Sequence, residues 1–378
     1  MRLRVISDIH AHPFAYQSGA DGQGRLRSIK AALAQSLVGV GAETTVLIPG
    51  DVFHQRGLLP TQAVYAVLDV LNTINPAQYL AVTGNHDDVG APGGPTAMDA
   101  LQAGCDNLRV LDHWTRDVPC GGLVVMGRGY CADLGASERA EFATAVSDLA
   151  ESSLGKSRLL EAVVILVHNG VSKDVASADF PGEAFYTPEF FSPLAQLGVP
   201  YLVVAGHWHK AKVIDVQVGT TTVPEELGSS IAASSGSLLQ AGALVQHNWG
   251  DAGQPRGWWD IELPSGPTDS WELRFTNSGA PRFIVAHSAE EAAQARPKDF
   301  VRIAADAEPA ILGALAASGV DVAEVEPPEE DARESRADLR LGDSDDALAA
   351  KYVAARYEGD DPDGTLALGR RLLQEVTS

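Results

Sequence analysis

The chain has 378 residues, enough for two domains at roughly 100–200 residues each, and 50 acidic against 28 basic side chains leave a net charge of −22. Hydrophobic residues make up 45% and charged residues 21%, an ordinary globular balance with ample material for a core. The acid excess argues against a surface that holds nucleic acid by charge alone, and the longest apolar runs, such as Ala162–Val167, are far shorter than the ~20 residues that span a bilayer.

Taken in chain order, short β-branched runs alternate with helical periodicity. Leu3–Ser7 reads as a strand that begins at once, without a signal-peptide pattern. Arg25–Val38 reads as a helix with Leu26, Ile29, Leu33 and Leu37 on one face. Thr45–Pro49 is a strand, Pro60–Ile74 a helix opened by proline, and Tyr79–Thr83 a strand. Leu123–Met126, Ala162–Val167 and Tyr201–Ala205 are further strands, with helices at Ser137–Leu149 and Pro193–Leu197. This alternation predicts a layered α/β domain. Gly219–Gly236, rich in Thr, Ser and Gly, reads as a long surface loop, and Gly257–Leu263 returns as a strand. The run Pro264–Thr268 predicts a boundary, which divides the chain into 1–265, a small α+β unit at 266–328 and an acidic tail at 329–378. The small unit has strands at Trp271–Asn277, Arg282–His287, Phe300–Ala304 and Asp321–Glu326 and helices at Ser288–Ala295 and Ala307–Ser318. The tail has helical pieces at Asp345–Tyr357 and Thr365–Glu375. Cys105, Cys120 and Cys131 show no C-x-x-C spacing and read as free thiols of a reducing cytosol, so a cytoplasmic protein is expected.

Five polar segments each follow directly on an apolar strand: Ser7-Asp8-Ile9-His10, Gly50-Asp51-Val52-Phe53-His54, Gly84-Asn85-His86-Asp87, His168-Asn169-Gly170 and Gly206-His207-Trp208-His209. Loops at the carboxyl ends of strands in an α/β sheet converge on one place. The i, i+2 spacing of Asp8/His10 and His207/His209 predicts that each pair lies on one side of an extended chain. Gly50, Gly84 and Gly206 are expected to permit tight turns. Imidazole and carboxylate together suit Mn, Fe, Zn or Ni. Asp51, with two oxygens, is the candidate to bridge two metals, and Asn85 is a neutral oxygen ligand. Two such metals clamp the attacking and leaving oxygens of a phosphoryl displacement. One histidine after a strand is usually a satisfied polar residue; the signal is the ordered set, which takes six of the ten histidines.

The series Asp-x-His, Gly-Asp-x-x-His, Gly-Asn-His-Asp, His, Gly-His-x-His resembles the calcineurin-like metallophosphoesterase superfamily. Within it the chain is similar to the SbcD-type DNA repair nucleases. His54 stands where phosphoprotein phosphatases continue Gly-Asp-x-x-Asp-Arg-Gly. Gly236–Gln240, His247–Asp251 and Arg256–Trp259 resemble the Gly-Ser … Phe-Gly-Glu … Lys-Gly-Phe series that closes that family's core. The resemblance implies a four-layered α/β sandwich with a small α+β C-terminal cap, and a Mn-dependent DNA exonuclease or endonuclease. Mg, Fe or Zn are alternative metals. It implies one metal on Asp8, His10 and His209, another on Asn85, His168 and His207, and Asp51 between them. His86 would stabilise charge on the scissile phosphate or protonate the leaving oxygen, and His54 would orient His86 or the phosphate. An SbcC-type ATPase partner and a homodimer are further implications, with no membrane. Ala11-His12 departs from the family's usual Leu-Gly, and His12 reads as an exposed loop histidine.

Lys210, Lys212, Arg56 and Arg128 are candidates to neutralise phosphates. This needs a catalytic face less negative than the tail, on the expectation that much of the acid follows Pro327. Trp258 and Trp259 read as sheet packing, not as a base-stacking platform. Two rivals remain: a small-substrate phosphodiesterase or nucleotidase on the same core, which the acidic charge favours, and a non-catalytic metal-binding scaffold, against which His86 and the intact ligand set speak.

Overall fold

The computed structural model describes residues 2–14, 24–55, 57, 59–88, 94–152, 160–180, 182–225, 229–264, 266, 269–304, 310–320 and 322–325. Arg56 and the tail 329–378 with its two expected helices lie outside them. In chain order the first unit runs β1 (Arg2–Val5), α1 (Gly24–Ser36), β2 (Thr44–Ile48), α2 (Thr61–Leu71), β3 (Gln78–Ala81), α3 (Ala97–Gly104) and β4 (Leu108–Val110). It continues with β5 (Thr115–Cys120), β6 (Leu123–Arg128), α4 (Ala136–Glu151), β7 (Ala162–Val167), β8 (Gly170–Val171), β9 (Phe185–Tyr186) and β10 (Tyr201–Ala205). β11 (Lys212–Asp215), β12 (Thr220–Thr222), β13 (Ser229–Ala233), β14 (Leu238–Gln240), β15 (Gly257–Glu262) and β16 (Trp271–Asn277) complete it.

Two seven-stranded sheets result, in the orders β13-β16-β15-β1-β2-β3-β4 and β12-β11-β14-β10-β7-β6-β5. The period of two along each strand divides its side chains between two cores. Leu47, Leu80 and Val82 meet Val125, Val164 and Leu166 between the sheets. Val46, Ile48, Tyr79 and Ala81 face Leu26, Ile29, Leu33 and Leu37 on the α1 side, so the face expected for α1 is the buried one. Val124, Met126, Val163 and Ile165 face Phe142 and Val146 of α4 and Phe190 and Phe191 of a 3-10 helix, Pro188–Leu197. Helices, sheet, sheet and helices are the four expected layers. Each fully buried Leu, Val or Phe in them contributes roughly 1.5–3 kcal/mol. Trp258 and Trp259 are both buried, one on each face of β15.

Three expectations change. Gly219–Gly236 is not one loop: β12 pairs with β11 at the edge of the second sheet, and β13 pairs with β16 at the edge of the first. Thr-rich and Ser-rich edge strands keep a polar outer face, which hides them in a composition reading. The boundary lies at Phe283/Ile284, not at 265/266. β16 belongs to the first unit because it pairs with β15 from Asn277 to Glu272 and buries Trp271, Leu273 and Phe275 between the sheets. α3, missed from the sequence, is opened by a capping box of Thr96 and Asp99.

The second unit contains a three-stranded sheet of β17 (Phe283–Ala286), β18 (Phe300–Ile303) and β19 (Val322–Val325), with helices α5 (Ala289–Ala293) and α6 (Ile311–Ser318). Ala286, Ala292, Val301, Ile311 and Leu315 form its core. Among the described residues no helix is long and apolar enough to cross a membrane.

Candidate metal centre

β1, β2 and β3 run parallel in the first sheet, as do β6, β7 and β10 in the second, so the five ligand segments leave strand ends of the same sense. The backbone then bends in a way the sequence did not announce. Asp8, His10, Asp51 and His207 have φ of 49°, 46°, 49° and 78°. Left-handed L-residues cost roughly 1–3 kcal/mol each and collect at functional sites. Asp8/His10 and His207/His209 therefore do not converge along an extended chain. They converge around kinks whose middle residues, Ile9 and Trp208, are driven into the core. The kinks are tied by backbone bonds: the Asp8 N–H donates to the Gly50 carbonyl, and the His10 N–H to the Asp51 carbonyl.

The glycines also act differently from expectation. Only Gly50 needs its freedom of φ, at 92°. Gly84 and Gly206 are required because a Cβ at Gly84 would overlap the Asp51 carboxylate and amide, and one at Gly206 would meet the Pro49 carbonyl, the His168 ring and Ser7 Oγ.

Three groups of side chains bring their ligand atoms within 4.8 Å of one another: Asp8/His10/His209, Asp51/His168/His207 and His10/His54/His86. His10 Nε2 lies 3.1 Å from His209 Nε2 and 3.5 Å from Asp51 Oδ2. His168 Nε2 lies 3.3 Å from Asp51 Oδ1 and 3.1 Å from Asn85 Oδ1, and His207 Nδ1 lies 3.0 Å from the same Asn85 oxygen. Asp51 thus turns one oxygen to each of the first two groups. All seven expected ligands meet in one place.

The donor chemistry fits cations there. His168 donates through Nδ1 to the Pro49 carbonyl, His209 through Nδ1 to Asp251, and His207 through Nε2 to Glu183. Carbonyls and carboxylates only accept, so in the neutral form of each imidazole the other nitrogen presents its lone pair inward, toward Asp51, Asn85 and His10. A second-sphere acceptor on the far nitrogen is how proteins orient metal-binding imidazoles. The electrostatics show which groups draw positive charge. Burial would lower His168, but Asp51 outweighs it and holds the imidazole at about 9. Burial would also lower His209, but the Asp251 hydrogen bond and the Asp8 charge hold it at about 9. Burial works against the charged Asp51, yet His168 keeps its carboxyl well below the usual range. Asp8 is pushed up by burial, and His10 well down. Burial and the His168 charge lower His207 to about 4. The buried carboxylates Asp51, Asp8 and Asp251 thus attract positive charge to their neighbours His168 and His209.

His54 and His86 stand beside this cluster, their rings stacked at 14° with centroids 5.4 Å apart. His86 Nδ1 bonds the His54 carbonyl, and its backbone N–H donates to Asp51 Oδ1 at 2.8 Å. Burial and the neighbouring His86 lower His54 to about 4. His12 is half-buried, bonded to Gln55 at 2.9 Å with its ring 5.7 Å from His54, so it is a support and not an exposed loop residue.

Several partners escaped the sequence reading. Asp87 accepts the N–H groups of Val52, Phe53 and Gly84, stapling two ligand loops; burial and the Asp51 charge raise it to about 7. His247 is buried, its Nε2 3.0 Å from the Asp8 carbonyl oxygen and its ring 4.6 Å from that of His10. Tyr130 lies 5.3 Å from the His207 ring. Asp87 and Asp251 stood inside quoted segments, and their chemistry was the available signal. Glu183 is 24 residues from His207 and carries no local signal.

A cavity of about 510 Å³ opens beside His207 and His209, and its wall includes Asp179, Phe180, Glu183, Lys210 and Asp251. Of the three described phosphate-neutralising candidates, two are committed elsewhere. Lys212 is buried and paired with Asp179 at 2.6 Å, and Arg128 is paired with Glu138 at 2.7 Å. Nor does the tail hold the acid. Thirteen acidic and seven basic residues follow Pro328, leaving residues 1–328 with net −16 of the −22.

No match was found among curated proteins. Solved structures that match include the sulfate thiohydrolase SoxB of Thermus thermophilus, 13% identical with a TM-score of 0.39, covering 74% of this chain and 58% of that one. A 5'-nucleotidase precursor from the same organism is 13% identical with a TM-score of 0.36, covering 75% and 56%. The chain thus spans less than two thirds of either, and such values bear on neither substrate nor mechanism. The family model for calcineurin-like phosphoesterases matches residues 1–211, the span from the first ligand segment through the last. With more than half of its length so matched and its ligand segments gathered at the strand ends, the chain belongs to the calcineurin-like phosphoesterase family.

Proposed function

We propose that the protein hydrolyses small phosphoesters, a short phosphodiester or a nucleotide, at a centre for two divalent metals, with manganese the expected ion. Asp8, His10 and His209 would hold one, Asn85, His168 and His207 the other, with Asp51 between the two groups. When bound, such ions supply Lewis-acid activation of the phosphoryl group and of the water nucleophile. The chain's own residues do the rest. His86, whose Nδ1 is engaged by the His54 carbonyl, offers Nε2 to the substrate, where it stabilises charge or passes a proton to the leaving oxygen. His54, stacked on it, fixes its plane.

The observation that carries the small-substrate reading is the sequestration of Lys212 and Arg128 in ion pairs, together with a cavity wall that has three carboxylates and one exposed lysine. A polymeric duplex is held by many released counterions, each needing a free cation. A second reading, a DNA nuclease with an SbcC-type ATPase partner, is favoured by the closing segment of the SbcD resemblance, which places His247 and Asp251 against the ligand shell. One assay separates them: manganese-dependent hydrolysis of bis-p-nitrophenyl phosphate, mononucleotides and labelled single- and double-stranded DNA, for wild type and His86→Ala. Small esters cleaved, DNA spared and a loss of about 10²–10⁴-fold in His86→Ala are expected. Efficient DNA degradation would establish the second reading. Metal binding without hydrolysis of any substrate would refute both.

A further inference from the structure

The turn Gly206–His209 supplies one imidazole to each metal group, and the two rings present different nitrogens. His207 faces inward through Nδ1 because its Nε2 donates to Glu183 Oε2 at 3.1 Å. His209 faces inward through Nε2 because its Nδ1 donates to Asp251 Oδ1 at 3.0 Å. The two carboxylates come from different segments: Glu183 from the segment between β8 and β9, Asp251 from the short helix Trp249–Asp251. Each also grips the scaffold. Glu183 accepts the Trp208 indole N–H at 3.1 Å, and Asp251 accepts the His247 backbone N–H at 2.7 Å.

We propose that Glu183 and Asp251 are positioning residues that govern the two metals separately, Glu183 the ion on Asn85, His168 and His207, Asp251 the ion on Asp8, His10 and His209. The inference rests on the two-metal reading above. The carboxylates are not equivalent. The Glu183 side chain is 48% exposed and that of Asp251 10%. A hydrogen bond open to water holds its imidazole less firmly than a buried one, so the ion governed by Glu183 is the more readily lost of the two. Removing an outer-sphere partner of a ligating histidine lowers metal affinity about 10–100-fold.

The test is Mn²⁺ binding to the full chain by titration calorimetry and equilibrium dialysis. Wild type is expected to bind two ions, the weaker governed by Glu183. Glu183→Gln, which keeps the size of the side chain, is expected to weaken one of the two by about 10–100-fold and leave the other unchanged. Assignment comes from paired variants. The Glu183→Gln effect is expected to vanish in a His207→Ala background and persist in His209→Ala; Asp251→Asn is expected to show the reverse. Wild type binding two ions, with Glu183→Gln weakening neither or both equally, would overturn the inference while leaving the two-metal centre standing. Wild type binding one ion or none would remove the centre itself. Thermal denaturation of each variant, with unchanged cooperativity, separates loss of metal from loss of fold.

Discussion

Gly84→Ala tests whether the close approach of two ligand loops sets the geometry of the centre. The substitution introduces no backbone strain, since Gly84 is not among the residues of positive φ. Its Cβ would nevertheless overlap Asp51 Oδ1 and the Asp51 backbone nitrogen, neither of which is the end of a flexible chain. Asp51 is held by the His86 N–H at 2.8 Å and flanked by His10 at 3.5 Å and His168 at 3.3 Å, so the displacement must be shared with the ligands. Overpacking of this kind costs about 1–3 kcal/mol. At roughly 2–4 °C per kcal/mol for a domain of this order, the midpoint of thermal unfolding should fall by about 2–12 °C. A misplacement of about 1 Å at a reacting centre costs on the order of 100-fold in rate. Gly39→Ala is the control: at φ 77° its Cβ meets nothing within 4 Å, so it should cost about 1–2 kcal/mol of backbone strain and leave turnover alone. Melting curves and steady-state hydrolysis of bis-p-nitrophenyl phosphate would be compared. If Gly84→Ala turns over like Gly39→Ala, the tight contact of the loops does not position Asp51 and the reasoning fails.

Two further substitutions probe the scaffold behind the centre. Asp87→Ala leaves the N–H groups of Val52, Phe53 and Gly84 without their acceptor, and each buried donor left unsatisfied costs about 1–3 kcal/mol; a loss of several kcal/mol with collapse of Mn²⁺ affinity is expected in denaturant titrations, and a near-neutral result would show that the loops are held elsewhere. Glu138→Gln breaks the pair with Arg128, whose side chains are 5% and 14% exposed, and should cost about 3–5 kcal/mol near neutrality. Burial works to raise the Glu138 carboxyl, but the Arg128 hydrogen bond outweighs it and depresses it below its ordinary 4.5. A depressed carboxyl stabilises the fold above its unfolded value and loses that contribution as pH falls; the gap between wild type and Glu138→Gln should therefore narrow below about pH 4.5, and a gap constant from pH 7 to 3 would contradict the assignment.

Much of the candidate centre was legible in the chain because its candidate ligands are local in sequence. Each sits one to six residues beyond an apolar strand, and a parallel sheet brings such positions to one edge whatever the loops between them do. Strand type was equally legible where Val, Ile and Leu crowd, as in Ala162–Val167, buried on both faces. The Thr-rich β12 was not, since its three residues are all exposed and only pairing with β11 makes them a strand. β16 looked like the start of a second domain because a proline-rich run precedes it; only its register with β15 and the burial of Trp271 assign it to the first. Strand–helix alternation and the order of the seven candidate ligands could be read from the chain alone, and the family from the resemblance of its motif series. Tertiary structure alone decided the left-handed kinks at Asp8, His10, Asp51 and His207, the carboxylates Glu183 and Asp251 that select a nitrogen on each imidazole, and the withdrawal of Lys212 and Arg128 into ion pairs. Each of these depends on which distant segment packs against which, and a hydrogen bond between residues 183 and 207 has no local propensity to announce it.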